Sequence, residues 1–245
     1  MTAPGPGATV ADRLTVVRRN IEAVTPAQPV RIVAVTKAFG PEAITAAVAA
    51  GLGDVGENYA QELVAKGAAL GWDHPDGIPG PDRRPTVHFI GRLQRNKVKR
   101  VAPFVDVWQT VDRAILVEEL ARRVPGARIL IQLNATGEAD KGGCPPGELD
   151  GLVDSARERG LDVIGLMTVG PTEADVDPRP AFSLTREAAE RLGLAELSMG
   201  MSGDYERAVA EGATMVRLGS VLFGNRPRPG RHDASPSSTT VGREE

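Results

Sequence analysis

The feature that most constrains the fold is a regular alternation of short apolar runs with longer helical stretches. Eight runs rich in β-branched and other apolar residues are separated by Ala-, Glu- and Arg-rich segments. The runs are "RIVAVTK", "GDVGEN", "TVHFIG", "VDVWQTV", "ARILIQLN", "LDVIGLMTV", "AELSMG" and "ATMVRLG". Strands that alternate with helices pair in parallel through crossover helices. The pattern therefore predicts an α/β fold built on a parallel sheet.

Eight such units in a chain of 245 residues predict a single (β/α)₈ TIM barrel. One helix precedes the first strand, because Val10, Leu14, Val17, Ile21 and Val24 recur at helical spacing within residues 9–24. Periodicity alone does not close a sheet into a barrel. A doubly wound open sheet is therefore the alternative fold.

The predicted barrel occupies residues 9–226 and leaves no residues for a second domain. Residues 1–8 are small and rich in Pro and Gly, and residues 227–245 contain almost no apolar side chains. Neither segment can contribute to a core, so both are predicted to be disordered. The Pro-, Gly- and charge-rich stretch 73–85 predicts a surface loop inserted before the third strand.

Composition argues against several classes of function. The net charge of −3 gives no reason to expect a nucleic-acid or anionic-membrane partner. Cys144 is the one cysteine, which excludes an intramolecular disulfide and a cysteine-rich zinc site. The N-terminus lacks the apolar core of a signal peptide, and no apolar run approaches the ~18 residues of a membrane span. We therefore expect a cytoplasmic protein without a bound metal.

Two further sequence features have ordinary structural explanations. The basic run "RLQRNKVKR" is typical of a solvated helix face, because it has no interleaved aromatic residues and the chain is acidic overall. Cys144 lies in "GGCPPG", which predicts a surface loop, and no neighbouring base in that loop would activate it as a nucleophile.

Active sites of (β/α)₈ barrels lie at the carboxyl ends of the strands, and the unusual residues of this chain fall there. They are Lys37, Glu57, Asn58, His88, Asn134, Met167, Thr168, Ser202, Arg217, Gly219 and Ser220. Glu57 and Asn58 are alternatively capping residues of the next helix. His88 is interpreted as a core histidine or as one that supports a site residue, rather than as a catalyst, and core packing is the default for the methionines.

The loops after the last two strands predict a phosphate site. "GMSGDYERA" and "RLGSVLFG" are glycine-containing turns that open helices. Glycine lets backbone N–H groups approach an anion, and these two loops are the frequent phosphate position of this fold. Ser202 and Ser220 would add hydroxyl donors, although Ser202 is alternatively a helix N-cap.

A phosphate site beside Lys37 points to pyridoxal phosphate, which needs an amine, phosphate donors and a partner for its ring nitrogen. A lysine at a strand end is more often simply solvated. The interpretation of Lys37 as the amine that binds the cofactor therefore depends on the two loops. Arg217 is the candidate partner of the nitrogen. A guanidinium donates a hydrogen bond without readily losing its proton, so the ring would be a weak electron sink.

The residues also resemble a known family. The stretches "AVTKAFGPEAI", "VGENYAQEL", "HFIGRLQRNKVK", "QLNATGEADKGG", "GLMTVGP" and "LSMGMSGDYERAVAEGATMVRLGSVLFGNR" resemble the pyridoxal phosphate homeostasis proteins, also called the YggS or PROSC family. The resemblance implies a monomeric barrel like the barrel domain of fold-type III alanine racemases. It implies that Lys37 carries the cofactor as a Schiff base and that Asn58 lies beside the ring. It further implies that Ser202, Gly219 and Ser220 hold the phosphate and that Arg217 faces the ring nitrogen.

The function implied by this resemblance is that of a carrier, which binds pyridoxal phosphate and releases it to apo-enzymes that need it, without catalytic residues of its own. An amino-acid racemase is the alternative, but racemisation needs an acid or base on each face of the α-carbon. A lysine aldolase that needs no cofactor is a third hypothesis. The two phosphate-type loops and Arg217 argue against it, though less directly.

Overall fold

The computed structural model describes residues 7–25, 29–72, 84–173 and 175–224. Eight parallel strands pair in sequence order, and the first pairs with the eighth to close a barrel. The strands are β1 (Arg31–Val35), β2 (Asp54–Glu57), β3 (Thr86–Phe89), β4 (Val107–Val111), β5 (Arg128–Gln132), β6 (Asp162–Met167), β7 (Glu196–Ser198) and β8 (Met215–Leu218). The predicted (β/α)₈ barrel is confirmed, and the alternative open sheet is wrong.

Helices connect successive strands and also flank the barrel at both ends of the described chain. They are α1 (Val10–Val24), α2 (Pro41–Ala49), α3 (Ala60–Ala69), α4 (Val98–Val101), α5 (Ala114–Arg123), α6 (Leu149–Glu158), α7 (Arg179–Arg191), α8 (Tyr205–Ala210) and α9 (Ser220–Phe223). The predicted helix before the first strand is α1. Thr9 and Asp12 form a capping box at its start, in which each side chain accepts a hydrogen bond from the other residue's backbone.

Side chains alternate between the helix layer and the barrel interior, because successive residues of a strand face opposite sides of a sheet. Trp108 packs in the large apolar core that also contains residues of the helices. Its neighbour Val107 instead joins Leu130 and Met167 in a small separate cluster. Interior positions of TIM barrels are usually filled by branched apolar residues. Here the interior also contains buried His88 and Gln109.

The barrel closes along the contact between β1 and β8, which we call the β1–β8 seam. Val33 pairs with Arg217 in its parallel register. Beyond the strand ends, the rings of Phe39 and Phe223 lie 5.4 Å apart. On the outside, Asn20 of α1 donates hydrogen bonds to the Tyr205 hydroxyl and to the Glu206 carboxylate of α8, at 2.9 and 2.8 Å. Elements from both ends of the described chain therefore meet along this seam.

Three sequence predictions fall largely outside the described residues. They concern disorder in residues 1–8, the inserted loop 73–85 and disorder in residues 227–245. Residues 1–6, 73–83 and 225–245 are not among those described, so these expectations stay predictions. None of the helices within the described ranges has the length and apolar character that a membrane span requires.

Candidate functional site

A pocket of about 410 Å³ opens at the carboxyl end of the barrel, between the loops that follow β1, β2, β7 and β8. Its walls contain all six residues that the sequence predicts to bind a cofactor. Those residues are Lys37, Asn58, Ser202, Arg217, Gly219 and Ser220. Apolar side chains complete the lining, among them Met167 and Met201. The volume lies in the range of small-molecule sites, which combine apolar walls with a few convergent polar groups.

Lys37 lies two residues beyond β1, in a loop with unusual backbone geometry. Ala38 has a φ of 64°, in the left-handed region where a residue with a Cβ is disfavoured by ~1–2 kcal/mol. The Ala38 N–H donates a hydrogen bond to Glu62 Oε2 at 2.9 Å. On the other side of Lys37, the Thr36 carbonyl accepts a hydrogen bond from Lys66 Nζ at 2.8 Å. Side chains of α3 therefore hold both neighbours of Lys37.

Those side chains belong to a group between the sheet and α3, here called the outer cluster. It consists of the buried residues Thr36, Glu57 and Lys66 and the partly exposed Glu62. The Thr36 hydroxyl and Lys66 Nζ each donate to Glu57 Oε1 at 2.5 Å. Glu57 is fully buried, and none of the residues that the structure describes forms a hydrogen bond with its Oε2. Burial raises the pKa of the Glu57 carboxyl, and the attraction of Lys66 offsets this only in part.

The outer cluster corrects the sequence interpretation of Glu57. Glu57 does not cap α3, whose N-cap is Tyr59 with no side-chain cap, and it does not line the pocket. Sequence reasoning also missed Lys66. A signal for it exists, because Leu63, Lys66 and Gly67 form the buried face of α3. A lysine on an apolar helix face indicates a buried partner.

Arg217 lies in β8 with its side chain facing the barrel interior, and it is only 4% exposed. Its Nη1 donates to the carbonyl and the hydroxyl of Ser198 at 2.7 and 2.8 Å, and its Nη2 donates to the Thr168 carbonyl at 2.8 Å. Burial lowers the pKa of Arg217 to about 10, an effect that the charge of Asp204 opposes. The guanidinium therefore remains charged at neutral pH.

The loops after β7 and β8 meet through Ser202. Its hydroxyl oxygen accepts long hydrogen bonds from the backbone N–H groups of Gly219 and Val221, at 3.3 and 3.4 Å. Ser202 does not cap α8, whose N-cap is Asp204, so the alternative N-cap interpretation is wrong. Two amides at the start of α9 therefore point toward one oxygen atom, and Ser220 follows directly on the pocket wall. Backbone amides that converge in this way form an anion-binding geometry.

Asn58 contributes a polar atom that has no hydrogen-bond partner among the described residues. Its Oδ1 is buried and accepts no hydrogen bond, although buried polar groups are nearly always paired. The backbone of Asn58 is fixed closely, since a Cβ on Gly91 would lie 1.9 Å from the Asn58 carbonyl oxygen. An acceptor fixed in the pocket wall without a partner fits a ligand that brings a donor.

Other strand-end residues have structural roles. His88 is fully buried, which confirms its interpretation as a core histidine. The Asn134 side chain accepts from Gly137 N and donates to the Glu138 carbonyl within its own loop. The Thr168 hydroxyl donates to the Leu133 carbonyl at 3.0 Å. Met199 is buried in the main core rather than in the pocket wall.

Cys144 contradicts its sequence prediction. It lies in a loop, but its side chain is 1% exposed, because Leu133 and Cys144 form a β-bridge that draws the loop against the core. Burial raises the pKa of the Cys144 thiol to about 12, so the thiolate is scarce at neutral pH. By contrast, four of the five charged residues of the basic run, Arg92, Arg95, Lys99 and Arg100, are exposed as predicted, and the fifth, Lys97, is half-buried. Among the described residues, no group of His, Cys, Asp or Glu is arranged to hold a metal ion.

Comparison with known proteins identifies relatives of this chain. The family model of the alanine racemase N-terminal domain matches residues 13–227. A pyridoxal phosphate homeostasis protein of Pseudomonas aeruginosa is 38% identical over 205 residues, covering 80% of this chain and 85% of that protein. Its namesake from Bos taurus is 35% identical over 229 residues, covering 85% of this chain and 80% of that protein.

Solved structures agree with these relatives. PipY of Synechococcus elongatus, with pyridoxal phosphate bound, superposes with a TM-score of 0.71 at 31% identity and covers 88% of this chain and 100% of that one. Alanine racemase of Corynebacterium glutamicum, at 16% identity and a TM-score of 0.64, covers 93% of this chain and 64% of that one, and shows the shared fold alone. The chain therefore belongs to the family of pyridoxal phosphate homeostasis proteins, whose barrel is that of the alanine racemase N-terminal domain.

Proposed function

We propose that this protein is a cytoplasmic carrier of pyridoxal phosphate, which it holds as a Schiff base on Lys37 and releases to enzymes that require it. The observation that carries the proposal is the convergence of an amine, a guanidinium and phosphate-type donors on one pocket. The names of the family relatives and the cofactor in the PipY structure support the choice of ligand.

The residues present fit the groups of this cofactor. Pyridoxal phosphate supplies an aldehyde that reacts reversibly with amines and a pyridine ring that can withdraw electrons. Lys37 offers the amine. The amides of Gly219 and Val221 and the hydroxyls of Ser202 and Ser220 offer donors for a phosphate. Asn58 Oδ1 offers an acceptor that lacks a partner in the described part of the chain.

Arg217 suits a carrier better than a catalyst. It donates hydrogen bonds and keeps its proton at neutral pH, because its lowered pKa is still about 10. A cationic donor holds a pyridine nitrogen in place without protonating it. A ring held in this way draws little electron density from a bound amino acid, so Arg217 limits carbanion chemistry.

The composition of the pocket wall also disfavours a racemase. Racemisation needs proton-transfer groups on both faces of the substrate carbon, each worth about 10²–10⁴ in rate. Among the described residues that line the pocket, the ionisable side chains are Lys37 and Arg217. Lys37 alone of the two can serve as a base, since the guanidinium stays protonated. We therefore infer that an amino acid can enter without being turned over.

A reduction experiment tests the binding proposal. Purified protein with pyridoxal phosphate should show a visible absorption band that borohydride abolishes, and peptide mapping should place the reduced adduct on Lys37. Lys37→Ala should lose the band and keep its circular dichroism spectrum, whereas Lys99→Ala, a change at an exposed lysine, should keep both. Lys141 should react more weakly, because Glu138 and the Gly170 carbonyl engage its amine. Stoichiometric labelling of another lysine with Lys37 unmodified would refute the assignment.

A second experiment separates the carrier from the racemase and also tests release. Loaded protein is incubated with each common L-amino acid in deuterated water, and α-proton exchange and chirality are measured. Exchange no faster than with free cofactor is expected. Multiple turnovers that disappear in Lys37→Ala would favour the racemase. Reconstitution of an apo-enzyme should proceed faster than spontaneous dissociation of the cofactor, and equal rates would argue against directed release.

A further inference from the structure

A continuous line of polar side chains crosses the barrel interior, from its amino end to the pocket, and all of them except the half-buried Asp54 are buried. We call it the inner chain; it consists of Asp54, His88, Gln109, Ser198 and Arg217. The Ser198 hydroxyl lies 2.7 Å from Gln109 Oε1, and Gln109 Nε2 lies 2.8 Å from His88 Nδ1. His88 Nε2 lies 2.8 Å from Asp54 Oδ1. Asp54 borders a separate depression at the opposite end of the barrel from Lys37.

Every hydrogen bond of the inner chain points the same way. Arg217 only donates, so Ser198 Oγ accepts from it and passes its own proton to Gln109 Oε1. The Gln109 amide nitrogen can then only donate to His88 Nδ1. This leaves the His88 proton on Nε2, where it meets the Asp54 carboxylate. The remaining amide hydrogen of Gln109 faces the Met215 sulfur at 3.1 Å.

This order matters because of the charge at its pocket end. Among the described residues, no carboxylate forms a salt bridge with the buried Arg217 guanidinium, which donates hydrogen bonds to two carbonyls and a hydroxyl. A buried cation needs compensation from charges or dipoles. In the inner chain each acceptor lone pair faces toward Arg217, so the negative ends of the dipoles point at the cation. The inner chain ends at the Asp54 carboxylate, at the opposite end of the barrel from Arg217 and the pocket.

We propose that Asp54, His88, Gln109 and Ser198 are positioning residues that hold the Arg217 guanidinium in one orientation toward the pocket. The proposal rests on the proposed function in assigning the cofactor's ring nitrogen to Arg217. None of these four residues lines the pocket, so each acts through Arg217. In the sequence, the inner chain is indicated by a single Gln within the apolar run "VDVWQTV".

The hydrogen-bond order is tested first, without any ligand. The sequence has three histidines, His74, His88 and His232. Replacing His74 and His232 with Gln leaves His88 as the single source of imidazole signals in a long-range ¹H–¹⁵N NMR spectrum. The expected spectrum at neutral pH shows protonated Nε2 and unprotonated Nδ1. Protonated Nδ1, alone or together with Nε2, would reverse the Gln109 contact and overturn the proposed order.

The effect on the pocket is tested with two ligands that differ at one atom, pyridoxal phosphate and its 1-deaza analogue, in which carbon replaces the ring nitrogen. Gln109→Leu should weaken binding of pyridoxal phosphate about ten-fold, equivalent to ~1.4 kcal/mol. It should leave the affinity for the deaza analogue unchanged, because that ligand offers Arg217 no acceptor. Gln132→Leu is the matched control, since Gln132 is a buried strand glutamine that contacts the Gly142 carbonyl instead.

The outcomes are distinct. Equal losses for both ligands, or no loss for either, would overturn the positioning role and leave Gln109 a packing residue. If Gln109→Leu does not fold, Ser198→Ala removes the same connection and should give the same ligand pattern. Failure of the unaltered protein to bind pyridoxal phosphate would refute the proposed function instead, and the NMR result for His88 would still stand.

Discussion

The outer cluster and the inner chain approach the same pocket from opposite sides of the sheet, and they are built on different principles. The outer cluster concentrates charge, with two donors on Glu57 Oε1 and none on Oε2. The inner chain places neutral groups between a cation and a distant carboxylate. Among the described residues, none of its buried side-chain atoms lacks a partner. The comparison predicts that loss of the charges beside Lys37 lowers the stability of the fold, whereas loss of the dipoles around Arg217 changes ligand binding.

The largest expected effect comes from breaking the outer cluster. Lys66→Met leaves the Glu57 carboxylate buried without its cation, and removing one partner of a buried pair typically costs ~3–5 kcal/mol of unfolding free energy. Urea denaturation at neutral pH measures the loss. Lys99→Met is the control at an exposed position and should change little. A loss below ~1 kcal/mol would show that Glu57 is compensated by groups other than Lys66.

The outer cluster should also make stability depend on pH. The folded pKa of Glu57 is raised above the ordinary value, so over the interval between the two the folded state binds more protons than the unfolded state. Stability from Glu57 is therefore greatest below its ordinary pKa and falls as pH rises toward the raised folded value. Glu57→Gln should remove this slope from the urea midpoint measured against pH. An unchanged slope would contradict the assignment to Glu57.

A smaller effect is expected from the loops after β7 and β8, which we propose hold the phosphate. These loops belong neither to the outer cluster nor to the inner chain. Ser220→Ala removes a hydroxyl donor to a charged acceptor, worth roughly 1.5–3 kcal/mol, or about ten- to a hundred-fold in affinity for pyridoxal phosphate. Ser202→Ala should cost less, because it also frees the Gly219 and Val221 amides that its hydroxyl now engages. Competition titration with pyridoxal, which lacks the phosphate, supplies the control. Equal affinities for the two ligands would refute the phosphate site.

The smallest expected effect sharpens the description of the loop beside the outer cluster. Ala38→Gly should stabilise the protein by up to ~1 kcal/mol, because glycine adopts the positive φ of this position without steric cost. The same substitution at Ala46 in α2 should destabilise by ~1 kcal/mol, since glycine disfavours helix interiors. Thermal unfolding of the two variants compares the signs. Destabilisation by Ala38→Gly would show that the Ala38 side chain provides compensating contacts.

Sequence reasoning predicted the features that depend on local pattern. Alternating β/α runs predicted the order of the strands. Because active sites of this fold lie at the carboxyl ends of the strands, Lys37 and Ser220 were expected in the same site. Burial between elements was harder to predict. The Gly and Pro neighbours of Cys144 predict a surface loop, but its bridge to Leu133 depends on residues outside its own segment.

The two polar groups show why part of the site could not be predicted. Lys66 and Gln109 each stand out as a polar residue on an apolar face, so their burial was readable in principle. Their partners were not, because Thr36 and His88 lie 30 and 21 residues away and depend on the packing of α3 and the stagger of the strands. The left-handed Ala38 has no signal in the residue itself, since alanine rarely adopts that conformation.

The β1–β8 seam has a consequence for how the protein is made. Lys37 follows the first strand, whereas Arg217, Gly219 and Ser220 come from the last strand and the turn after it. When the ribosome has synthesised Lys37, most of the barrel is still to be made, including the residues of the proposed phosphate site. If Lys37 and the loop after β8 hold the cofactor as proposed, the complete site forms only after β8 has been synthesised, and a cofactor bound to Lys37 and Ser220 would join the first and last strands like a cross-link. Hydrogen exchange at the paired amides of β1 and β8 should then slow more on loading than exchange in β4 and β5, on the far side of the barrel.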